Sequence, residues 1–148
     1  MTATDLKLDY PIRLDDKEIF VSSVNTGVPH AILLTDHVDR APVEELGRSV
    51  RYHKSFLKGT NVDFVEIVDR ENAKIRTYER GVEGETYACG TGAVAVGVVL
   101  KEKGLAGDAV NIWTKGGEII RVYVNEDVYL EGSARVIYSG DLWMEALE

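Results

Sequence analysis

The sequence is poor in the residues that build disulfides and metal sites. It has one cysteine and three histidines among 148 residues, so it has no second cysteine for an internal disulfide and no convincing zinc constellation. A chain of this kind is expected in a reducing cytoplasm. We therefore predict a cytoplasmic protein without a metal site.

Positive charge and long apolar runs are also scarce. Lys and Arg number 17 against 25 Asp and Glu, and the net charge of -8 argues against a nucleic-acid partner. No apolar run reaches the length of a membrane span, and the N-terminus lacks the features of a signal peptide. Hydrophobic residues at 45% and charged residues at 28% are typical of an ordinary globular protein. We predict one domain, residues 1–148, with neither a nucleic-acid nor a membrane partner.

The single cysteine lies in a Gly-rich turn that opens into an apolar segment. Cys89-Gly90-Thr91-Gly92 precedes the apolar run 93–100, and Lys101-Glu102-Lys103-Gly104 supplies the basic residues and the glycine at which helices end. The many valines would also fit a buried strand. The length from Thr91 to Lys103, the small residues at its start and the stop signal favour a helix. That helix must be buried, because it is apolar all round.

A cysteine at the start of such a helix has reactive chemistry. The first helical turn carries unpaired N–H groups and partial positive charge, which tends to lower a thiol pKa. Gly90 and Gly92 allow a carboxylate or enolate oxygen to approach the N–H groups of residues 90–93. A buried structural cysteine is the commoner reading of a lone cysteine. The residues leading to Cys89 are polar and favour function instead: Glu79, Arg80, Glu83, Glu85 and Thr86.

The rest of the chain predicts short strands and one further helix. Asp39 is a candidate cap for a helix that begins near Ala41, has Pro42 in its first turn and ends near Tyr52 or His53. Alternating or continuous apolar residues between turn signals predict the strands. We predict an α+β fold in which a curved, mostly antiparallel sheet or open barrel wraps around the buried central helix. The predicted strands are 6–14, 19–24, 31–34, 62–68, 73–78, 109–114, 118–124, 128–130 and 134–138.

Three motifs carry a resemblance to a known family. The run 78–93, with its pattern E-R-G, G-E-T and A-C-G-T-G-A, resembles the second cysteine motif of diaminopimelate epimerase, within the proline racemase and epimerase superfamily. Asn25–Ala31 and Thr60–Phe64 resemble two upstream motifs of that family and fall in the same order. The resemblance covers nearly the whole chain. It corresponds to the C-terminal half of the family's usual polypeptide, so the half with the other cysteine is missing.

The resemblance implies a cofactor-independent isomerase. In this family a cysteine thiolate removes the α-proton of diaminopimelate while a second thiol protonates the opposite face, which interconverts the LL and meso forms. The reaction serves lysine and cell-wall biosynthesis. Cys89 matches one of the two thiols. The family's fold is a sheet or open barrel around a central helix, in agreement with the pattern of the residues.

The resemblance also implies roles for individual residues. Glu79 and Arg80 match a substrate-contacting pair, in which Glu79 accepts from the substrate ammonium or orients the thiol. Gly90 and Thr91 match backbone donors to the α-carboxylate. Without the resemblance, Glu79 and Arg80 would read as a surface ion pair at a strand end.

Two upstream residues match the family as well. Asn61 matches an asparagine that holds the distal end of the substrate, although an asparagine before a strand is more often a turn residue. His30 matches a catalytic histidine near the reactive thiol, and a satisfied core histidine is the alternative. Val28 departs from an asparagine often found before the Pro-His pair, which puts one substrate hydrogen bond in doubt.

One cysteine leaves several functions open. Two-base epimerisation needs two acid or base groups, so the chain would be half of a site completed by an N-terminal domain, by a second polypeptide, or by a second copy of itself. Of these possibilities, we rank an isolated domain separated from its partner half first and the site formed by two copies of the chain last. A non-catalytic binding or assembly module on the same fold is the alternative from another class. A related amino-acid racemase is the third reading.

Overall fold

The alternating segments of the chain pair into one open sheet that carries a helix on each face. The computed structural model describes residues 1–147. Its helices are α1 (Val43–Arg51) and α2 (Gly90–Glu102), with short 3-10 turns at Val38–Arg40 and Met144–Leu147. The strands are β1 (Thr4–Arg13), β2 (Glu18–Asn25), β3 (Pro29–Leu34), β4 (Asn61–Ile67), β5 (Asn72–Glu79), β6 (Gly84–Thr86), β7 (Ala109–Trp113), β8 (Ile119–Val124) and β9 (Val128–Glu131).

Neighbouring strands of the sheet are mostly antiparallel. The order is β1-β2-β3-β4-β5-β7-β8-β9, with β6 paired to β5 beside the main path. Only β3 with β4 and β5 with β7 run parallel among the pairings of the described chain. The sheet does not close on itself, so β1 and β9 are its edges. The predicted α+β fold, a mostly antiparallel sheet around a buried central helix, is confirmed.

The sheet buries a different hydrophobic cluster on each face. Successive residues of a strand point to opposite faces, so one set packs under α2 and the other under α1. Helix α2 lies against β2, β3, β4, β7, β8 and β9, whereas α1 lies against β4, β5 and β6. Ile32, Val65 and Ile75 belong to the cluster under α2. Leu33, Phe64 and Tyr78 belong to the cluster under α1.

Helix α2 is buried along most of its length, as predicted. Every residue from Gly92 to Leu100 is buried, because the helix has sheet on several sides. Close packing needs a small residue where the helix meets β8. A Cβ added to Gly97 would lie 2.6 Å from Cγ1 of Val122 and 3.1 Å from its Cβ.

We expect Gly97→Ala to lower the free energy of unfolding by about 1–2 kcal/mol. Overpacking against Val122 costs more than the better helix propensity of alanine returns. Urea unfolding measures the change, with Gly107→Ala as the control, because a Cβ at Gly107 meets nothing within 4 Å. Combining Gly97→Ala with Val122→Ala should give less than the sum of the two single losses. A stabilised Gly97→Ala variant would contradict this account of the contact.

The start of α1 differs from the prediction. The helix begins at Val43, and Pro42 is its N-cap, without a side-chain hydrogen bond. Asp39 lies in the 3-10 turn Val38–Arg40 instead, so its predicted capping role is wrong. The residue before a proline disfavours helical geometry, which explains why the helix does not start near Ala41. The helix ends at Arg51, close to the predicted Tyr52.

The strand predicted at 134–138 is wrong, and the short strand β6 was missed. Residues 132–143 follow β9 without regular structure. The segment has the β-branched and aromatic residues that strands favour, but a strand needs an edge to pair with and a core to cover, and Ile137 remains 90% exposed. Strand β6 is short, and it forms through its pairing with β5.

Candidate active site

Three adjacent strands deliver polar side chains to the face that α2 covers. The parallel pairing of β3 with β4 sets His30 beside Asn61, and the antiparallel pairing of β4 with β5 sets Asp63 beside Thr77. Asn61 and Asp63 are two residues apart in a strand, so both point to the same face. Polar groups from three strands therefore meet near the N-terminus of α2.

A continuous set of hydrogen-bond contacts joins this cluster to the cysteine. Sγ of Cys89 lies 3.5 Å from Oγ1 of Thr91, which is 2.9 Å from Nε2 of His30. Nδ1 of His30 lies 2.7 Å from Oδ2 of Asp63. The hydroxyl of Thr77 donates to Oδ1 of the same carboxylate at 2.7 Å. Five side chains from β3, β4, β5 and the start of α2 thus form one contact path.

The inner end of this path is shielded from solvent. His30 and Asp63 are 0% exposed. Helix α2 makes room for the carboxylate at Gly92, where an added Cβ would lie 2.7 Å from Oδ1 of Asp63. Cys89 is only partly buried at the outer end. The path therefore leads from a closed interior to a thiol that a ligand can reach.

Cys89 is the N-cap residue of α2. Its backbone is extended, with φ -140° and ψ 108°, and its carbonyl accepts from the Ala93 N–H at 2.9 Å. Burial raises the pKa of the thiol, and the negative charges of Asp63 and Glu79 raise it further. The hydrogen bond from the Gly92 N–H lowers the pKa and offsets this rise only in part. The lowered pKa expected from the helix N-terminus is wrong for this chain, because desolvation outweighs the helix end.

Asn61 connects the site to Arg80. Its Oδ1 accepts from the Arg80 N–H at 2.7 Å, and its Nδ2 donates to the Pro29 carbonyl at 3.3 Å. Arg80 in turn donates from Nη1 to the Lys58 carbonyl at 2.8 Å. These bonds tie the turn after β5 to the start of β3. The predicted role of Asn61 at the distal end of the substrate stays a prediction, and the structure gives its amide an internal role as well.

The remaining predicted residues lie around the thiol. Glu79 ends β5 and is partly exposed, and its charge acts on the thiol pKa. Gly90 and Thr91 open α2, with Gly90 exposed and the Thr91 carbonyl accepting from the Thr26 hydroxyl at 3.0 Å. The structure thus brings the predicted residues into one region. Their contacts with a substrate stay predictions.

An ion-pair cluster anchors the segment that leads to Cys89. Arg76 donates to Glu85 through Nε at 2.6 Å and Nη2 at 2.8 Å. Lys115 lies 2.9 Å from the same carboxylate. The Gly116 N–H donates to the carbonyl of Tyr87 at 3.1 Å. The approach to the cysteine is therefore held by β5 and by the turn between β7 and β8.

Asp63 and Thr77 are members of the site that the sequence analysis did not single out. Asp63 lies in the motif Thr60–Phe64, where the run of apolar residues predicts only a strand. A signal was present, because a carboxylate among the apolar residues of β4 is a charge within a buried strand and needs a partner.

The sequence is similar to known proteins along most of its length. A family model described as diaminopimelate epimerase matches residues 22–137. The diaminopimelate epimerase of Aquifex aeolicus is 44% identical over 142 residues, which are 93% of this chain and 51% of that protein. The one of Hydrogenobaculum sp. is 47% identical over 127 residues, 82% of this chain and 46% of that protein. The chain spans about half the length of the curated relatives it matches.

A solved structure supports the fold. A phenazine biosynthesis protein of the PhzF family from Bacillus anthracis has a TM-score of 0.51 and 23% identity to this chain, over 89% of it and 40% of that protein. Within the described residues, no helix has the length and apolarity to cross a membrane.

The match of the family model to most of the sequence decides the assignment: the chain belongs to the diaminopimelate epimerase family.

Proposed function

We propose that this chain supplies one half of an epimerase site that interconverts LL- and meso-diaminopimelate, with Cys89 as one of two acid/base groups. The observation that carries the proposal is the position of Cys89. The thiol caps the buried helix α2, can be reached from outside, and is in contact with a buried histidine–carboxylate pair through Thr91. That combination suits proton transfer better than a structural role.

The start of α2 is suited to the charge that develops in the reaction. The α-proton of an amino acid is very weakly acidic without a cofactor, so the site must stabilise an enolate-like anion with fixed donors. The N–H groups in the first turn of α2 have no partners within the helix. Gly90 is exposed there, and it leaves the backbone open to a carboxylate. We assign the α-carboxylate of the substrate to Gly90 and Thr91.

The state of the thiol suggests its first role. Because the pKa of Cys89 is raised, the chain alone holds a neutral thiol at neutral pH. A neutral thiol donates a proton, so Cys89 would protonate one face of the α-carbon while a thiolate of the missing half removes the proton from the other face. The reverse reaction exchanges the two roles. Glu79 and His30 adjust the thiol, while Asn61 and Arg80 face the rest of the substrate.

An exposed apolar segment supports a complementary half as the partner. After β9 the chain leaves the sheet, and Val136 and Trp143 are 92% and 83% exposed. Exposed apolar surface on this scale is typical of an interaction site. The strand before this segment lies beside the start of α2, since an added Cβ on Gly90 would lie 3.9 Å from Cδ2 of Leu130 in β9. We therefore place the missing half next to the N-terminus of α2, with a second copy of this chain as the alternative occupant.

Deuterium exchange at the α-carbon of diaminopimelate in heavy water, followed by NMR, tests the proposal. The chain is assayed alone and with the complementary half of the Aquifex aeolicus relative, the part that this chain does not match. We expect exchange in the mixture and none with the chain alone. Exchange by the chain alone that is lost in Cys89→Ala would assign the site to two copies of the chain. No exchange in either sample would favour a binding or assembly module.

A further inference from the structure

We propose that Asp63 is a positioning residue for Cys89: through His30 and Thr91 it fixes the direction of the hydrogen bonds that hold the thiol. The inference rests on the proposed function for the importance of Cys89 as an acid. The hydrogen bonds concerned lie within the described chain, so the inference can be tested without substrate. Asp63 itself does not touch the reacting atoms in this assignment.

The direction follows from the donors and acceptors available. An ionised carboxylate only accepts, so Asp63 receives the Thr77 hydroxyl at Oδ1 and requires a proton on Nδ1 of His30 at Oδ2. With this proton on Nδ1 alone, Nε2 is an acceptor, and the Thr91 hydroxyl donates to it. The Thr91 oxygen is left to accept from the S–H of Cys89. The path therefore runs one way, from thiol to carboxylate.

The surroundings of Asp63 are built for a carboxylate. Both of its oxygens have partners at 2.7 Å, and the side chain is fully buried. Glycine at position 92 keeps α2 clear of Oδ1. A buried charge costs free energy that an apolar residue in β4 would not cost. That cost is consistent with a role other than packing.

The groups that face the thiol and the imidazole come from four elements. The negatively charged groups are Asp63 of β4 and Glu79 of β5, and both raise the thiol pKa. The hydrogen-bonding groups at the start of α2 are the Thr91 hydroxyl, 3.5 Å from Sγ, and the Gly92 N–H, which lowers the pKa. His30 of β3 joins the two sets, and Asn61 lies 3.5 Å from its Nε2. The thiol pKa is therefore a direct readout of this arrangement.

Loss of Asp63 should allow the hydrogen bonds along this path to run in the opposite direction. Without the carboxylate, His30 is released from the Nδ1–H tautomer and can donate from Nε2 to Thr91. The Thr91 hydroxyl then donates to Sγ, which favours the thiolate. Removal of the nearby negative charge acts in the same direction. Asp63→Asn is therefore expected to lower the pKa of Cys89, by more in the presence of Thr91 than in its absence.

Alkylation of Cys89 tests this dependence, because it is the only cysteine in the sequence. Rates with iodoacetamide are measured across pH for the chain, Asp63→Asn, Thr91→Val and the double variant, with Asp15→Asn on the exposed β1–β2 turn as the control. Below the thiol midpoint, we expect Asp63→Asn to accelerate alkylation about threefold more when Thr91 is present than in the Thr91→Val background. Equal acceleration in both backgrounds would mean that Asp63 acts on the thiol only through its negative charge, and this result would overturn the proposal.

Histidine NMR of the unmodified chain gives a second test that needs no folded variant at Asp63. The ¹⁵N shifts distinguish a protonated ring nitrogen from an unprotonated one, and His30→Gln identifies the signals. The proposal predicts a proton on Nδ1 and none on Nε2 at neutral pH. A proton on Nε2 would mean that Thr91 accepts from His30, and it would overturn the assigned direction. Neither result depends on epimerase activity, so the two proposals can fail separately.

Discussion

Replacing Cys89 by serine is expected to lower α-carbon deuterium exchange by about 10²- to 10⁴-fold in the mixture with the complementary half. The hydroxyl keeps the approximate size of the thiol. Its much higher pKa makes proton transfer to and from carbon slow at neutral pH. The exchange rate is read from the NMR signal of the α-proton. The backbone donors at Gly90 and Thr91 remain in this variant, so substrate binding should change less than turnover.

Ser49→Ala on the exposed face of α1 is the matched control for the cysteine substitution. Its side chain bonds only to the Glu45 carbonyl among the contacts described, away from the thiol path. We expect its exchange rate to equal that of the unmodified chain. A Cys89→Ser variant that kept more than a tenth of the original rate would contradict an acid/base role for the thiol.

Arg76→Gln is expected to lower the free energy of unfolding by about 3 kcal/mol. Besides its two bonds to Glu85, the guanidinium donates from Nη1 to three carbonyl oxygens, those of Val38, Asp39 and Ala41. The Glu85 side chain is 8% exposed, so loss of the arginine leaves a nearly buried carboxylate with Lys115 alone. Urea unfolding measures the effect, with Arg13→Gln on the exposed end of β1 as the control.

The same ion pair gives the unfolding free energy a pH dependence. The hydrogen bonds of Arg76 lower the pKa of Glu85 below its ordinary value of 4.5, and Lys115 adds to the effect. The stabilisation is therefore complete above 4.5 and is lost as the pH falls from there through the folded pKa. Over that acidic range, the free energy of unfolding of Arg76→Gln should fall by less than that of the unmodified chain. An identical loss in both proteins would contradict the assigned cause.

The central helix and most strands could be predicted because their signals are local. The small residues at 90–92, the apolar run and the closing Lys103-Gly104 define α2 within its own sequence. Alternation defines β1 and β5 in the same way. The segment 134–138 is mostly apolar too, but it forms no strand in the described chain, because a strand depends on an edge supplied from elsewhere. A local pattern predicts the tendency of a segment to form a strand, but it does not identify the strand with which the segment would pair.

The site was less predictable than the fold. The motif around Cys89 identifies the thiol, and the two upstream motifs point to His30 and Asn61 through the family resemblance. The path between them depends on strand register, which places Asp63 beside Thr77 and under Gly92. The thiol pKa depends on burial by the whole fold, so the helix-terminus argument gave the wrong direction. Both features need three-dimensional neighbours that spacing along the chain does not specify.

Titrating a fixed amount of the chain with the complementary half tests most directly the claim that Cys89 acts together with a thiol of the complementary half. Deuterium exchange at the α-carbon is followed at each ratio. We predict no exchange without the complementary half, and a rate that rises to a plateau at equal amounts of the two. Exchange by the chain alone that grows with the square of its concentration would contradict the claim, because two copies of Cys89 would then complete the site.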